Sequence, residues 1–299
     1  MRINREIEQV HERADEVHRL DVAELLALMS AEDRSVAAAV AAHLAEVDRA
    51  VEGIAARIRS GGRLHYFGAG SSGRLAAVDA LECPGTFGVA PDLVSAHLPG
   101  GEEGFWSTED SLEDRADLGT RHVAAASIGA ADAVVGVSAS GETPYTLAAL
   151  RQAGAAAAFT VAVTGAAGSS MGREAAVAIE VPAGPEVVAG STRLKAGTAQ
   201  KMVLNMLSTA TFTRLGHVYR GRMIDVQATN EKLRMRAARI VGEATGAGPE
   251  SVSEALRGAG GSARLAVVML LGGLDADAAR ERLESCGGDV EVASGARPG

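Results

Sequence analysis

The chain is poor in aromatic residues, cysteine and positive charge, and each shortage removes a class of function. Phe, Trp and Tyr make up 3% of its 299 residues, too few for the row of exposed rings on which single-stranded nucleic acid stacks. Lys and Arg number 29 against 38 Asp and Glu, a net charge of −9, which argues against a dedicated nucleic-acid binder. A small anionic ligand stays open, because backbone N–H groups bind phosphate without any net positive charge. Cys83 and Cys286 are the only cysteines; they lie too far apart for a zinc spacing or a disulfide framework. No window approaches eighteen uninterrupted apolar residues, so a membrane-spanning helix is excluded. The opening stretch MRINREIEQVHERADEV is charged and has no apolar h-region, so no secretory signal is read and a cytoplasmic setting is expected.

What is present is the composition of a globular protein. Hydrophobic residues reach 47% and charged residues 22%, which excludes a disordered chain. The length suits one large domain or two modest ones. Ala, Val, Leu and 36 Gly suit a tightly wound α/β protein with many short turns.

The first sixty residues read as helices. Ile7, Val10, Ala14 and Val17 recur at helical spacing, and Asp21 is placed to cap VAELLALMS. Val36, Val40, Leu44, Val47, Val51, Ile54 and Ile58 then step by three or four and predict one long amphipathic helix, stopped at Gly61-Gly62. From there the period shortens. RLHYF (63–67), LVSAHL (93–98), AVVGVS (133–138), FTVAVT (159–164) and VAIEVP (177–182) read as strands, most of them followed by a Gly or Ser loop and a helical stretch. That alternation indicates βαβ units and a parallel sheet. A long helix around AGTAQKMVLNMLSTATFTRLG stops at Gly216, and the remainder reads as a small helical unit with a frayed tail over the last dozen residues. Within it ARLAVVMLLGG fits a strand or a buried helix equally, because its apolar run is too short to show a period.

Two loops carry the chemistry. GAGSSGR, Gly68 to Arg74, satisfies G-x-G-x-x-G directly after a strand and before a helix. It reads as an anion cradle, with a dinucleotide site or a tight turn that binds nothing as alternatives. A nucleotide P-loop is excluded because no Lys-Ser/Thr pair follows the glycines. SASGETP, Ser138 to Pro144, repeats the Ser and Gly chemistry after the third strand. The second strand, LVSAHL, ends without the acid that would hold a dinucleotide ribose. Two such loops therefore favour a phosphorylated small molecule over NAD. Glu82, in DALECPGTFG, reads as the end of the helix opened by the first loop. A carboxylate is disfavoured there, so Glu82 is either solvated or held as an acid with a raised pKa. Glu113 lies in the acidic run STEDSLEDRADLG, most simply a solvated face. The seven histidines (11, 18, 43, 65, 97, 122, 217) are scattered and read as packing or surface, and Trp106 as core or interface packing.

GAGSSGRLAAVDALECPGTFG, SGETPY, GSTRLKAGTAQKMVLNMLST and GHVYRGRMIDVQATNEKLR together resemble the N-acetylmuramic acid 6-phosphate etherase family, of the sugar-isomerase (SIS) fold group. The resemblance runs from about Val36 to about Leu283. It implies an α/β, SIS-type three-layer fold: a parallel sheet flanked by helices, an N-terminal helical segment and a small helical C-terminal unit. The matching division is 1–52, 53–218 and 219–299. It implies lyase-type cleavage of the D-lactyl ether, with N-acetylglucosamine 6-phosphate and D-lactate as products of cell-wall recycling. The alternative is a sugar-phosphate regulator that binds on the same fold without reacting; it would not need the two glutamates.

By position in the family motifs, Glu82 resembles the acid and Glu113 the base. Ser71, Ser72, Gly73, Ser140 and Thr143 resemble phosphate and sugar ligands. Ser191 and Lys195 of GSTRLKAG are expected near the substrate, with capping of the following helix as the alternative. Asn230 and Glu231 are expected to line the site or to form a plain polar first turn. Two carboxyls with separated pKa values suffice for such an elimination, so neither metal nor redox cofactor is called for. The partners expected are a phosphorylated amino sugar and a second copy of the chain, since the helices at 36–58 and 197–215 exceed what one sheet needs. Two departures stand out. Where family members usually carry Arg, this chain has Glu142, which would weaken anion binding if it faced the substrate and cost little if it faced solvent. For the family's N-terminal Thr-Glu…Asn segment it offers only His11-Glu12 and Asp15.

Overall fold

The computed structural model describes residues 8–106, 110–226 and 230–295. The chain forms two compact units, one of Met1–Leu81 with Asp92–Ser208 and one of Glu82–Pro91 with Thr209–Gly299.

In the first unit a short helix α1 (Ala14–Val17) precedes α2 (Val22–Ala41). Asp21 opens α2 with a reciprocal capping box: its carboxylate accepts from Glu24 N (2.8 Å) and its own N–H donates to Glu24 Oε2 (3.0 Å). The single helix expected over 36–58 is two helices, because α2 ends at Ala41 and α3 runs over Leu44–Arg59. The break spans only Ala42 and His43, so the apolar stepping carries on across it.

The sheet is β1 (Leu64–Gly68), β2 (Val94–His97), β3 (Ala133–Ser138), β4 (Phe159–Thr164) and β5 (Val177–Glu180). Its order is β2-β1-β3-β4-β5, with every pairing parallel. The connecting helices are α4 (Gly70–Phe87), α5 (Gly101–Trp106), α6 (Ala116–Ala125), α7 (Pro144–Ala155) and α8 (Ser170–Glu174), and α9 (Lys195–Arg214) follows β5. β1 and β3 are buried at every position, the signature of strands covered on both faces. Phe67, Val134 and Ala162 point to a layer containing Val123, Tyr145 and Leu150 of α6 and α7. The alternate residues point the other way: Tyr66 meets Asp79 of α4, and Gly53 of α3 lies against the Phe159 ring. Helix–sheet–helix layering follows from that alternation.

The second unit is helical apart from a two-residue hairpin, β6 (Val218–Tyr219) with β7 (Arg222–Met223). Helices α10 (Glu231–Thr245), α11 (Pro249–Gly258), α12 (Ala263–Gly272), α13 (Ala276–Ser285) and α14 (Val290–Ser294) pack around α12. The ambiguous ARLAVVMLLGG is thus a helix, apolar all round because neighbours cover it on several sides. The tail is not frayed through Ser294. Asp289 caps α14, and Val290 and Ala293 enter the core. Among the described residues no helix is long and apolar enough to cross a membrane.

Candidate active site

In a sheet of this order the connections leaving β1 and β3 run to opposite sides, which opens a crevice at the carboxyl ends of those two strands. Both Ser- and Gly-rich loops emerge there, since Gly68 is in register with Val137.

In the first loop the glycines manage space. A Cβ on Gly73 would lie 2.5 Å from Gly68 O, and one on Gly68 would lie 2.9 Å from Gly73 Cα. Gly70 adopts φ +53, in the left-handed region, to turn the chain into α4. Gly73, expected among the ligands, donates its N–H to Ala69 O (3.1 Å) instead; it is a packing glycine. Ser71 is exposed at the mouth, whereas Ser72 is buried and donates to Gln200 Oε1 of α9 (3.0 Å).

The second loop is a hydroxyl cluster. Ser138 Oγ lies 2.8 Å from Thr143 Oγ1 and 3.3 Å from Ser140 Oγ, and accepts the Gly141 N–H (3.1 Å). Ser140 and Thr143 are half-buried. Thr143 is the N-cap of α7 yet bonds no backbone N–H with its side chain, and Pro144 follows at the first turn. Glu142 is half-buried, and its Oε1 accepts from Ser170 N (2.8 Å).

The third wall is the start of α9. A Cβ on Gly165, at the end of β4, would sit 3.6 Å from Ala196 Cβ and 3.1 Å from Ala139 O. The hydroxyls of GSTR do not cap α9. Buried Glu186 does, accepting from Lys195 N (2.9 Å) and Ala196 N (3.0 Å), the stabilising sign for a helix N-terminus. Lys195 is buried, and its ammonium is held 2.5 Å from Glu32 Oε2. The other Glu32 oxygen lies 3.3 Å from buried His11. These contacts, Lys195 foremost, hold the Glu32 carboxyl below its usual range. The Lys195 charge is thus neutralised by a carboxylate of α2, and Ser191 is half-buried in the preceding loop.

The two glutamates lie on helices, Glu82 on α4 and Glu113 before α6. Glu82 does not end its helix: α4 continues through Pro84 to Phe87, with Gly88 N donating to Pro84 O (3.0 Å). The helix-end field invoked for Glu82 is therefore displaced by more than a turn. Glu82 is exposed. Glu113 is also exposed, on a short 3-10 helix (Asp110–Asp114) that packs against α7. In the second unit Asn230 caps α10, accepting from Leu233 N (2.9 Å), and Glu231 pairs with Arg234 (2.9 Å). Trp106 is 83% exposed and lies edge-on to Phe105, so it is not a core residue.

Residues 29–165 match the family model described as SIS domain. The chain is 50% identical to an N-acetylmuramic acid 6-phosphate etherase of Mycolicibacterium smegmatis, over 97% of this chain and 98% of that one. It is 46% identical to the enzyme of the same name from Rubrobacter xylanophilus, over 95% and 94%. The chain belongs to the N-acetylmuramic acid 6-phosphate etherase family. Among solved structures, a phosphoheptose isomerase from Neisseria gonorrhoeae aligns with TM-score 0.50 at 19% identity, over 64% of this chain and all of that one; this shows the shared fold.

Two buried polar groups went unseen in the sequence. Gln200 Nε2 is buried with no acceptor among the described residues, an N–H donor beside Ser72 that a ligand oxygen would satisfy. Asp79 accepts from Tyr66 OH (2.9 Å) and Ser208 Oγ (3.0 Å). Burial raises its pKa, against the lowering effect of those two hydrogen bonds. A lone Gln or Asp within a helix carries no signal of either position. Among the described residues no group of three or more His, Cys, Asp or Glu could hold a metal ion.

Proposed function

We propose that this chain cleaves the D-lactyl ether of N-acetylmuramic acid 6-phosphate, yielding N-acetylglucosamine 6-phosphate and D-lactate. The observation that carries this reading is 50% identity to an etherase of that name over 97% of the chain. The two Ser-rich loops at the β1/β3 switch point supply the chemistry a sugar phosphate needs: hydroxyl donors and N–H groups in a chain with little positive charge.

The bond changes balance with two carboxyl groups. In the open-chain sugar the C2 proton lies next to the C1 aldehyde, and a carboxylate base removes it. The electron pair forms the C2–C3 double bond as the C3–O bond breaks, and an acid protonates the departing lactate oxygen. Water then adds across the double bond, its oxygen at C3 and a proton at C2. Glu113 takes the part of the base and Glu82 that of the acid, on the family resemblance of their motifs. Ser71, Ser72, Ser140, Thr143 and Ser191 take phosphate and sugar hydroxyls. Lys195 contributes a cation whose charge Glu32 shares. Asn230 and Glu231 take further polar contacts to the substrate, on the same family resemblance.

The active form proposed is a cytoplasmic homodimer. Val78 and Leu81 on α4, Val22 and Leu26 on α2 and Trp106 at the end of α5 are all at least half exposed, apolar side chains that a second copy of the chain would cover. Light scattering that returned a 30 kDa particle would remove this part of the reading.

The decisive experiment is turnover of N-acetylmuramic acid 6-phosphate in heavy-oxygen water. D-lactate should appear without label while the label enters at C3 of the sugar, and a chelator should leave the rate unchanged. Glu82→Gln and Glu113→Gln should each stop lactate release with substrate still bound. Label in the lactate, or undiminished turnover in both variants, would overturn the mechanism.

A further inference from the structure

Three consecutive backbone N–H groups after β4 are held by the protein's own carboxylates. Gly168 N donates to Glu180 Oε2 (2.8 Å) and Ser169 N to Glu180 Oε1 (2.9 Å). Ser170 N donates to Glu142 Oε1 (2.8 Å). Such a run of N–H groups is a ready anion site, and here it is filled from within. Glu180 belongs to the neighbouring strand β5, so its two bonds are local to that edge of the sheet. Glu142 belongs to the other loop, the one that carries Ser138, Ser140 and Thr143.

Glu142 therefore joins two connections that leave adjacent strands. A second tie runs beside it, from Met171 N to Gly141 O (3.0 Å). Gly141 has φ +67, and a Cβ there would lie 2.4 Å from Ser169 Cβ, so the Gly141 backbone lies against the Ser169 side chain. Glu142 N in turn donates to Ser140 Oγ (3.1 Å). One residue thus bonds Ser140 with its backbone and the neighbouring loop with its side chain.

We infer that Glu142 is a positioning residue: its carboxylate, by taking the Ser170 N–H, latches the 138–143 loop to the 168–170 loop and so aims the Ser140 and Thr143 hydroxyls. The inference rests on the reading of those two hydroxyls as substrate ligands. Without the latch the loop keeps its Met171–Gly141 bond but gains freedom to tilt. Substrate binding should then suffer more than the chemical step, because a displaced ligand hydroxyl weakens ground and transition states alike.

The test compares steady-state kinetics of six variants on N-acetylmuramic acid 6-phosphate. E142A should raise KM roughly tenfold with kcat within about twofold. E142Q keeps an acceptor oxygen and should recover KM to within about twofold. S170P removes the donor at the first position of α8, where proline is tolerated. Ser169 before it already has φ −65 and ψ 159, which suit a residue preceding proline. S170P should match E142A, and the double variant should be no worse than either alone. S170A, which keeps the N–H, should behave as the wild type. Where E142A fails to fold, S170P carries the test.

E142A and S170P leaving KM unchanged, or E142Q matching E142A, would overturn the latch. S140A separates the two failures. A raised KM in S140A alone leaves the site reading intact and sinks only the latch, while an unchanged KM in S140A sinks both.

Discussion

After β1 the chain enters α4 through Gly68, Gly70 and Gly73; after β3 it enters α7 through Ser138, Ser140, Gly141 and Thr143. Both loops are short, rich in Ser and Gly, and set at the same switch point, yet they spend these residues differently. In the first, glycines make room for a strand and helix that nearly touch, and the buried serine is committed to Gln200. In the second, hydroxyls bond one another at 2.8 and 3.3 Å. Ser138 and Ser140 also accept backbone N–H groups, while the Thr143 hydroxyl, bonded among the described residues to Ser138 alone, can rotate toward an incoming oxygen at little cost. Similar composition therefore serves close packing in one loop and a hydroxyl network in the other.

That contrast breaks most visibly at Gly73. Its added Cβ would meet the Gly68 carbonyl oxygen at 2.5 Å, and main chain cannot swing aside as a side chain can. Gly73→Ala should cost about 3 kcal/mol or more in urea unfolding, against about 1 kcal/mol for Gly70→Ala, where only the positive φ is strained. Equal stability of Gly73→Ala and the wild type would end the close-approach account.

Acid should weaken the strand under the first loop next. His65 Nδ1 and His97 Nε2 lie 3.1 Å apart across β1 and β2. Burial foremost, then neighbouring positive charge, pulls both imidazoles down to about 4; Arg63 acts on both and His122 on His97, while Asp132 opposes it at His65. The unfolded chain binds protons on these rings below about pH 6.5, whereas the folded one resists them. Stability should thus be whole above pH 6.5 and fall by about 3 kcal/mol for each ring as pH drops toward 4. His65→Gln should flatten that part of the urea-midpoint profile; an unchanged profile would show the pair is not its source.

Smaller effects sharpen the other side of the comparison. Ser140→Ala and Thr143→Ala should each raise KM about tenfold, near 1.4 kcal/mol, with melting temperature almost unmoved. Ser72→Ala should instead lose about 1 kcal/mol of stability through the missing Gln200 bond. A melting temperature unchanged in Ser72→Ala, or lowered in Ser140→Ala, would erase the distinction between the loops.

Much of the fold was legible because strands and helices announce themselves over a few residues. β1 to β5 fall within a residue or two of the expected runs, and Gly61 and Gly216 mark helix stops with positive φ. The misread places are those where a distant partner outweighs the local signal. Pro84-Gly85 looks like a stop after Glu82, yet the helix gains its last turn where Phe87 stacks on Phe212 at 4.7 Å. Ala42-His43 interrupts a helix with no Gly or Pro to mark it. Glu142 was read only as facing substrate or solvent, and the backbone N–H that its carboxylate accepts comes from the next loop, 28 residues on.

The alternation of short apolar runs with helical stretches determined, without any coordinates, that this is a layered parallel-sheet protein with Ser and Gly loops after its strands. Hydrophobic period and glycine conformation are properties of a few adjacent residues, so they can be read along the chain. Only the tertiary structure decided that Ser72 meets Gln200, that Lys195 is neutralised by Glu32 and that Glu142 holds Ser170. Those pairings join residues 128, 163 and 28 positions apart. Hydrogen bonds and ion pairs act over about 3 Å of space, and no pattern along the chain shows which distant groups folding brings that close.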